Sequence, residues 1–239
     1  MNHSFTFKQF QVQQSRCSQR VSTDACIFGA WVTERMDTPL TCLDIGAGTG
    51  VLMLMIAQRY SGKVHGIEVD RDCFQQLREN VSASPFAERL TVFEGDVRSY
   101  VFPHRYELIV SNPPYYESQL VSPDAKRNKA WHSSMLSLQE LFACVDRWLA
   151  PGGRFALILP FSRKEEAVSY AAAVGLHLMA VAEVRHSAAH PVTRVLMMFS
   201  REQVEMLQEE IAIRSADGSY SERMIYLLDD YYLNIRGSL

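Results

Sequence analysis

Hydrophobic and polar positions follow two rhythms along this chain. Short apolar runs that read as strands occupy residues 40–45, 64–69, 90–93, 107–111 and 154–159. Segments with helical spacing lie between several of them. Residues 51–60 form an apolar helix, and residues 72–82 carry Phe74, Leu77 and Val81 on one face. Residues 137–149 place Leu138, Leu141, Phe142, Val145 and Leu149 in an i, i+3, i+4 stripe. Ser137 followed by Glu140 predicts a capping box at the start of that helix, and Pro151-Gly152-Gly153 predicts its stop. The strands are apolar throughout, which predicts a sheet covered on both faces. Their alternation with helices predicts a doubly wound α/β fold.

The rhythm changes after residue 159. Residues 176–185 and 192–200 read as two strands joined only by the loop 186–191, which predicts an antiparallel finish to the sheet. A strand at 210–214, a turn at Ala216-Asp217-Gly218 and a helix over 221–232 complete the tail. At the other end, residues 5–12 alternate like a strand and residues 27–32 read as helical. The organisation expected is one domain over 1–239. It comprises an N-terminal extension (1–36), a core (37–200) and a C-terminal strand and helix (201–235).

Composition adds limits. The chain has 239 residues, 47% hydrophobic and 21% charged, as in ordinary globular proteins. No apolar run reaches the roughly 18 residues of a membrane span, and the N-terminus shows no signal-peptide pattern. Cys17, Cys26, Cys42, Cys73 and Cys144 are odd in number and form no CxxC pair. A reduced, cytoplasmic protein without structural zinc or any other metal is therefore expected, with no obligate protein partner. The formal net charge of −3 means that any nucleic-acid contact must come from local basic patches.

Candidate chemistry begins at Leu43-Asp44-Ile45-Gly46-Ala47-Gly48-Thr49-Gly50, which follows a strand and opens a helix. Glycines at such a turn let the backbone approach a ligand closely. The spacing is shorter than the dinucleotide fingerprint, and no P-loop Lys follows. Asp44 would repel a pyrophosphate but suits a cationic amino group. Glu68, about 20 residues on, stands where an acidic side chain accepts ribose hydroxyls. Asp70 serves either that purpose or the capping of the next helix. Asp96 follows the third strand, placed to accept from an adenine amino group or simply to make a turn.

Asn112-Pro113-Pro114-Tyr115 directly follows the fourth strand. Two prolines fix two φ angles and remove two donors, so the segment presents carbonyl oxygens in a stiff array. Asn112 adds a side-chain acceptor. Two acceptors, the Asn112 side-chain oxygen and the Pro113 carbonyl, suit the two N–H groups of a planar amino nitrogen. Tyr115 offers a face on which a base stacks. Beyond it lies a basic loop with Lys126, Arg127 and Lys129 beside Trp131 and His132, read either as a phosphate grip or as an ordinary solvated loop. The chemistry asks for no base at His132.

Over about 40–159, and in outline to 200, these motifs resemble the class I S-adenosylmethionine-dependent methyltransferases. The resemblance implies a Rossmann-like, mostly parallel seven-stranded sheet with an antiparallel last strand and helices on both faces. It implies S-adenosyl-L-methionine lying over Gly46, Gly48 and Gly50, with Asp44 and Asn112 also at the cofactor, its ribose held at Glu68 and its adenine met by Asp96. The Asn-Pro-Pro-Tyr motif resembles that of enzymes that methylate planar nitrogens. Phe-Lys-Gln-Phe, Gln-Gln-Ser-Arg-Cys, the Thr-Asp before the first helix and the C-terminal Tyr-Ser-Glu-Arg extend the likeness over nearly the whole chain. There it is similar to the bacterial tRNA(Val) adenine N6-methyltransferases, which modify the adenine 3′ of the anticodon. That likeness implies tRNA as partner, and Arg20, Thr23 and Asp24 as cover for the cofactor. Rival readings are a release-factor-type glutamine methyltransferase, another nucleic-acid amino methyltransferase and an inactive binding scaffold. Little room before Gly46 for a helical domain weighs against the first, and the intact Asp44, Glu68, Asp96 and Asn112 weigh against the last.

Overall fold

The computed structural model describes residues 3–114 and 136–235. Near the N-terminus, β1 (Ser4–Thr6) and β2 (Gln11–Gln13) form a separate antiparallel pair. Eight further strands make the main sheet: β3 (Thr41–Ile45), β4 (Lys63–Glu68), β5 (Leu90–Glu94), β6 (Tyr106–Ser111), β7 (Leu149–Pro160), β8 (His177–Ser187), β9 (Val192–Ser200) and β10 (Leu207–Arg214). Their order across it is β10-β8-β9-β7-β6-β3-β4-β5. From β5 across to β7 all pairings are parallel. Only β9 runs the other way, between β7 and β8. The sheet therefore has one strand more than the seven expected. The antiparallel strand is internal, and the extra edge strand β10 is parallel to β8.

Burial on both faces follows the strand period of two. In β7, Ala156 and Ile158 enter one core while Phe155, Leu157 and Leu159 enter the other. In β9, Leu196 and Met198 alternate in the same way with Val195, Met197 and Phe199. The first core is covered by α1 (Thr23–Glu34), α2 (Val51–Arg59), α3 (Arg71–Ser82) and the short α6 (Glu222–Leu228). The second is covered by α4 (Leu138–Trp148) and α5 (Lys164–Ala173). Helix α1 is buried at every position from Ala25 to Thr33, as expected of a helix apolar on all sides. Ser22 caps it by accepting from the Ala25 N–H at 3.2 Å.

Three elements differ from the sequence expectation. Residues 5–12 are not one strand but part of the β1–β2 hairpin, closed by the Phe7 N–H on the Phe10 carbonyl at 2.8 Å. Helix α5 has no counterpart in the pattern of the sequence. The helix expected over 221–232 stops at Leu228, where two acidic residues, Asp229 and Asp230, meet the negative end of the helix dipole. The chain then turns so that Tyr232 bridges to Phe7.

The cysteines also require a correction. Cys17 and Cys73 form a disulfide with Cα atoms 4.6 Å apart, so the expectation of a fully reduced set fails. The pair is 56 residues apart in sequence and meets only because the segment after β2 lies along α3. Cys26, Cys42 and Cys144 are free and buried. Among the described residues no helix is long and apolar enough to cross a membrane.

Candidate active site

The carboxyl ends of β3, β4, β5 and β6 lie side by side. Ile45 is paired in register with both Ile67 and Ser111, and Glu68 with Glu94. The segments leaving these strands therefore converge: Gly46 after β3, Val69 after β4, Gly95 and Asp96 after β5, and Asn112 after β6. A cavity of about 280 Å³ opens there. Its walls include Gly46, Gly48, Glu68, Asp96, Asn112 and Pro113. Such crevices outside strand ends are where open α/β sheets bind ligands.

The glycine turn takes a path that L side chains resist. Gly46, Gly48 and Gly50 have φ of 73°, 56° and 84°. The carboxylate of Glu68 holds this path in place. Its Oε2 accepts from the Gly48 N–H at 2.9 Å, and its Oε1 accepts from the N–H groups of Val69 and Asp70, each at 2.9 Å. Asp70 is the cap of α3, accepting from the Cys73 N–H at 2.8 Å, so the capping alternative for this residue holds.

Asp44 is fully buried behind the turn, where the main-chain N–H of Met53 comes near its carboxylate but neither oxygen makes a well-formed hydrogen bond among the described residues. Burial first, and the neighbouring Glu68 second, push its pKa up to about 8. An orphaned buried carboxylate of this kind suits a cationic group brought in by a ligand. Asp96 stands opposite. Arg98 grips its carboxylate and holds its pKa below the ordinary aspartate range.

Asn112 and Pro113 line the cavity, one step beyond the strand end that is tied to the glycine turn. Tyr115, Lys126, Arg127 and Lys129 lie outside the described residues. From the N-terminal segment the wall is made by Ser18 and Gln19; Arg20, Thr23 and Asp24 are not among the lining residues. Asp24 instead pairs with Arg194 at 2.9 Å. Asp44 and Gly50 likewise lie behind the lining rather than in it.

Two side chains that no sequence motif marks help to build this site. Asn80 is buried on α3 and donates to the carbonyls of Gln13 and Thr49 at 2.8 and 2.9 Å while accepting from the Gln13 N–H at 2.9 Å. It sutures the N-terminal hairpin to the glycine turn. Arg98 lines the cavity and spans from Asp96 to α4. Asn80 in particular sits where a helical stripe calls for an apolar residue.

Some known proteins share much of this sequence, and others share its fold. Residues 30–170 match the family described as methyltransferase small domain. A protein of Tolumonas auensis is 40% identical over 98% of this chain and 98% of its own length, and bears the name tRNA1(Val) (adenine(37)-N6)-methyltransferase. A protein of Dyadobacter fermentans with the same name is 38% identical over 97% of this chain and 98% of its own. The chain belongs to this methyltransferase family. Solved structures agree on the fold. A predicted O-methyltransferase of Agrobacterium tumefaciens superposes with a TM-score of 0.68 at 15% identity, covering 90% of this chain and all of the other. The glycopeptide N-methyltransferase MtfA gives 0.57 at 16% identity, covering 78% and 93%.

Proposed function

We propose that this chain transfers the methyl group of S-adenosylmethionine to N6 of an adenine in tRNA, the adenine at position 37 of tRNA(Val). One observation carries the reading. The stiff acceptor segment Asn112-Pro113 leaves β6 beside the glycine turn that leaves β3, because Ile45 and Ser111 are paired. The names borne by the full-length relatives support the choice of acceptor. With tRNA as acceptor, the reaction belongs in the cytoplasm.

The residues fit the donor's chemistry. S-adenosylmethionine supplies an electrophilic methyl group on a sulfonium sulfur. Gly46 and Gly48 allow the backbone to approach it. Asp44, buried behind the turn and short of donors, would answer its cationic amino group from behind the lining. Glu68 already accepts three main-chain N–H groups, and a carboxylate has about four acceptor positions, so one remains for a ribose hydroxyl. Asp96, on the cavity wall, would accept from the adenine amino group.

At the acceptor, the exocyclic nitrogen of adenine is a poor nucleophile because its lone pair is delocalised into the ring. The Asn112 side-chain oxygen and the Pro113 carbonyl take its two N–H groups. They aim the nitrogen and favour the lone pair localised on it as attack proceeds. This is positioning with electrostatic stabilisation, and no strong base is required. As the carbon–nitrogen bond forms, the methyl carbon–sulfur bond would break to leave a neutral thioether, and the nitrogen, made acidic by the new bond, would pass its surplus proton to solvent.

The test is an acceptor screen. Tritiated S-adenosylmethionine is incubated with total tRNA, ribosomal RNA and protein from a strain lacking the enzyme, and labelled nucleosides are identified. The expected product is 6-methyladenosine in tRNA. Label in a protein glutamine and none in tRNA would overturn the reading.

A further inference from the structure

Beyond the strand ends, a chain of charged contacts runs from the Asp96 side of the cavity into helix α4. Arg98 folds back on Asp96. Its Nε donates to Oδ1 at 3.0 Å and Oδ2 at 2.9 Å, its Nη2 donates to Oδ2 at 2.6 Å, and its main-chain N–H donates to Oδ1 at 2.9 Å. The remaining arm, Nη1, donates to Glu140 Oε1 at 3.0 Å. The other oxygen of Glu140 accepts from both the main-chain N–H and the hydroxyl of Ser137, each at 2.8 Å. This is the capping box of α4. Leu136, just before the cap, lines the same cavity as Asp96, Val97 and Arg98.

We propose that Arg98 is a positioning residue for base recognition, fixing the Asp96 carboxylate against α4 so that the cavity accepts a 6-amino purine and rejects its 6-oxo counterpart. The inference rests on the reading that this cavity takes the adenosyl cofactor. The chemistry is that of a fork. A guanidinium binding a carboxylate through two nitrogens fixes its plane as well as its charge. With the shared Nε–H counted once, three donors occupy the Asp96 carboxylate, and one of its about four acceptor positions is left for a ligand. A 6-amino group donates to it, whereas a 6-oxo group sets oxygen against oxygen. Asp96 and Glu140 hold three of the five N–H groups of Arg98, one on each nitrogen, so each nitrogen already faces a carboxylate. Without Arg98 the carboxylate turns freely and protonates more readily, since Arg98 is the main cause of its lowered pKa. Selectivity then falls, rather than affinity alone.

The experiment measures binding of S-adenosylhomocysteine and S-inosylhomocysteine by calorimetry to the full chain and to Arg98→Met and Arg98→Lys. Sites built to bond a substrate N–H reject analogues lacking it strongly, so the unsubstituted protein is expected to prefer the adenosyl form by about 100-fold or more. In Arg98→Met the ratio is expected to fall by about tenfold, the size of one charge-assisted hydrogen bond. Its affinity for the adenosyl form is expected to fall more steeply than that of the unsubstituted protein as the pH is lowered into the ordinary aspartate range, while the two change alike above it. Arg98→Lys keeps the charge but loses the fork, and restores only part of the ratio. Equal weakening of both ligands by Arg98→Met, with the ratio unchanged, would make Arg98 merely structural and overturn the proposal. Tighter adenosyl binding would overturn it too, by showing that Arg98 competes with the base. If the unsubstituted protein binds neither ligand, the cofactor reading itself fails and the proposal falls with it.

Discussion

The hydroxyl of Ser111 donates to the carbonyl oxygen of Ile45 at 2.9 Å, and both residues are buried at the last rung of the β3–β6 ladder. This bond sets the spacing between the glycine turn and the Asn112-Pro113 acceptors. Ser111→Ala removes it with little change in volume. Stability is expected to fall by about 1 kcal/mol, read from the denaturant midpoint. The turnover number is expected to fall more than the affinity for S-adenosylmethionine. A loss confined to cofactor affinity would contradict this view of Ser111.

Glu68 offers a sharper test. Its carboxylate accepts from three main-chain N–H groups, one of them on Gly48. In Glu68→Gln one oxygen becomes an NH₂ group that faces donors. Loss of about 1–3 kcal/mol of stability is expected, together with at least about a tenfold rise in the dissociation constant for S-adenosylmethionine. Calorimetry at neutral pH measures the second quantity. A variant that binds as well as the parent would show that Glu68 neither shapes the turn nor meets the ligand.

Asp44 makes a prediction about pH. Its folded pKa is raised from 3.8 to about 8, chiefly by burial. Between those values the folded protein keeps a proton that the unfolded chain has released. Its contribution to stability is therefore greatest below the unfolded value, declines as pH rises toward 8 and is level above it. The slope is at most about 1.4 kcal/mol per pH unit. Asp44→Asn is expected to flatten this decline. If the cationic amino group of S-adenosylmethionine pairs with Asp44, binding near neutral pH also releases up to one proton, seen as a dependence of the binding heat on buffer ionisation. A heat independent of buffer, or one unchanged in Asp44→Asn, would separate Asp44 from the ligand.

The Cys17–Cys73 disulfide closes a long loop and fastens the segment carrying Ser18 and Gln19, which line the cavity, to α3. Such cross-links typically contribute about 2–4 kcal/mol. Reduction is expected to lower the thermal midpoint and to weaken cofactor binding, while Cys17→Ser loses the response to reductant. Thiol counting by mass spectrometry, with and without reductant, measures how much of the linkage forms. An identical thiol count under both conditions would contradict it.

Much of this is legible in the sequence. The strands from β3 to β7 contain largely apolar runs, so their existence can be read. So can the capping box at Ser137 and Glu140, and the placement of Gly46, Gly48, Glu68, Asp96 and Asn112 around one cavity. Helix α5 is not legible because its buried face is only Ala167 and Ala171, too small a stripe to register as periodicity. Strand β10 is an edge strand with a single buried residue, Ile211, and so reveals only part of its length and nothing of its pairing. The disulfide, the bonds of Asn80 and the reach of Arg98 to Glu140 are tertiary. They join positions whose spacing in sequence has no period, and only the folded path of the N-terminal segment over α3 brings the first two sets together.

The most direct test of the central claim replaces the side-chain acceptor alone. Asn112→Ala leaves the glycine turn, Glu68 and Asp96 untouched. Binding of S-adenosylmethionine by calorimetry and formation of 6-methyladenosine in tRNA by nucleoside mass spectrometry are measured on the same preparation. The expected result is cofactor affinity within about threefold of the parent and methyl transfer reduced by about 100-fold or more, as when a preorganised hydrogen-bonding group is removed from a transition state. Turnover equal to that of the parent would contradict the assignment of Asn112 and the mechanism built on it.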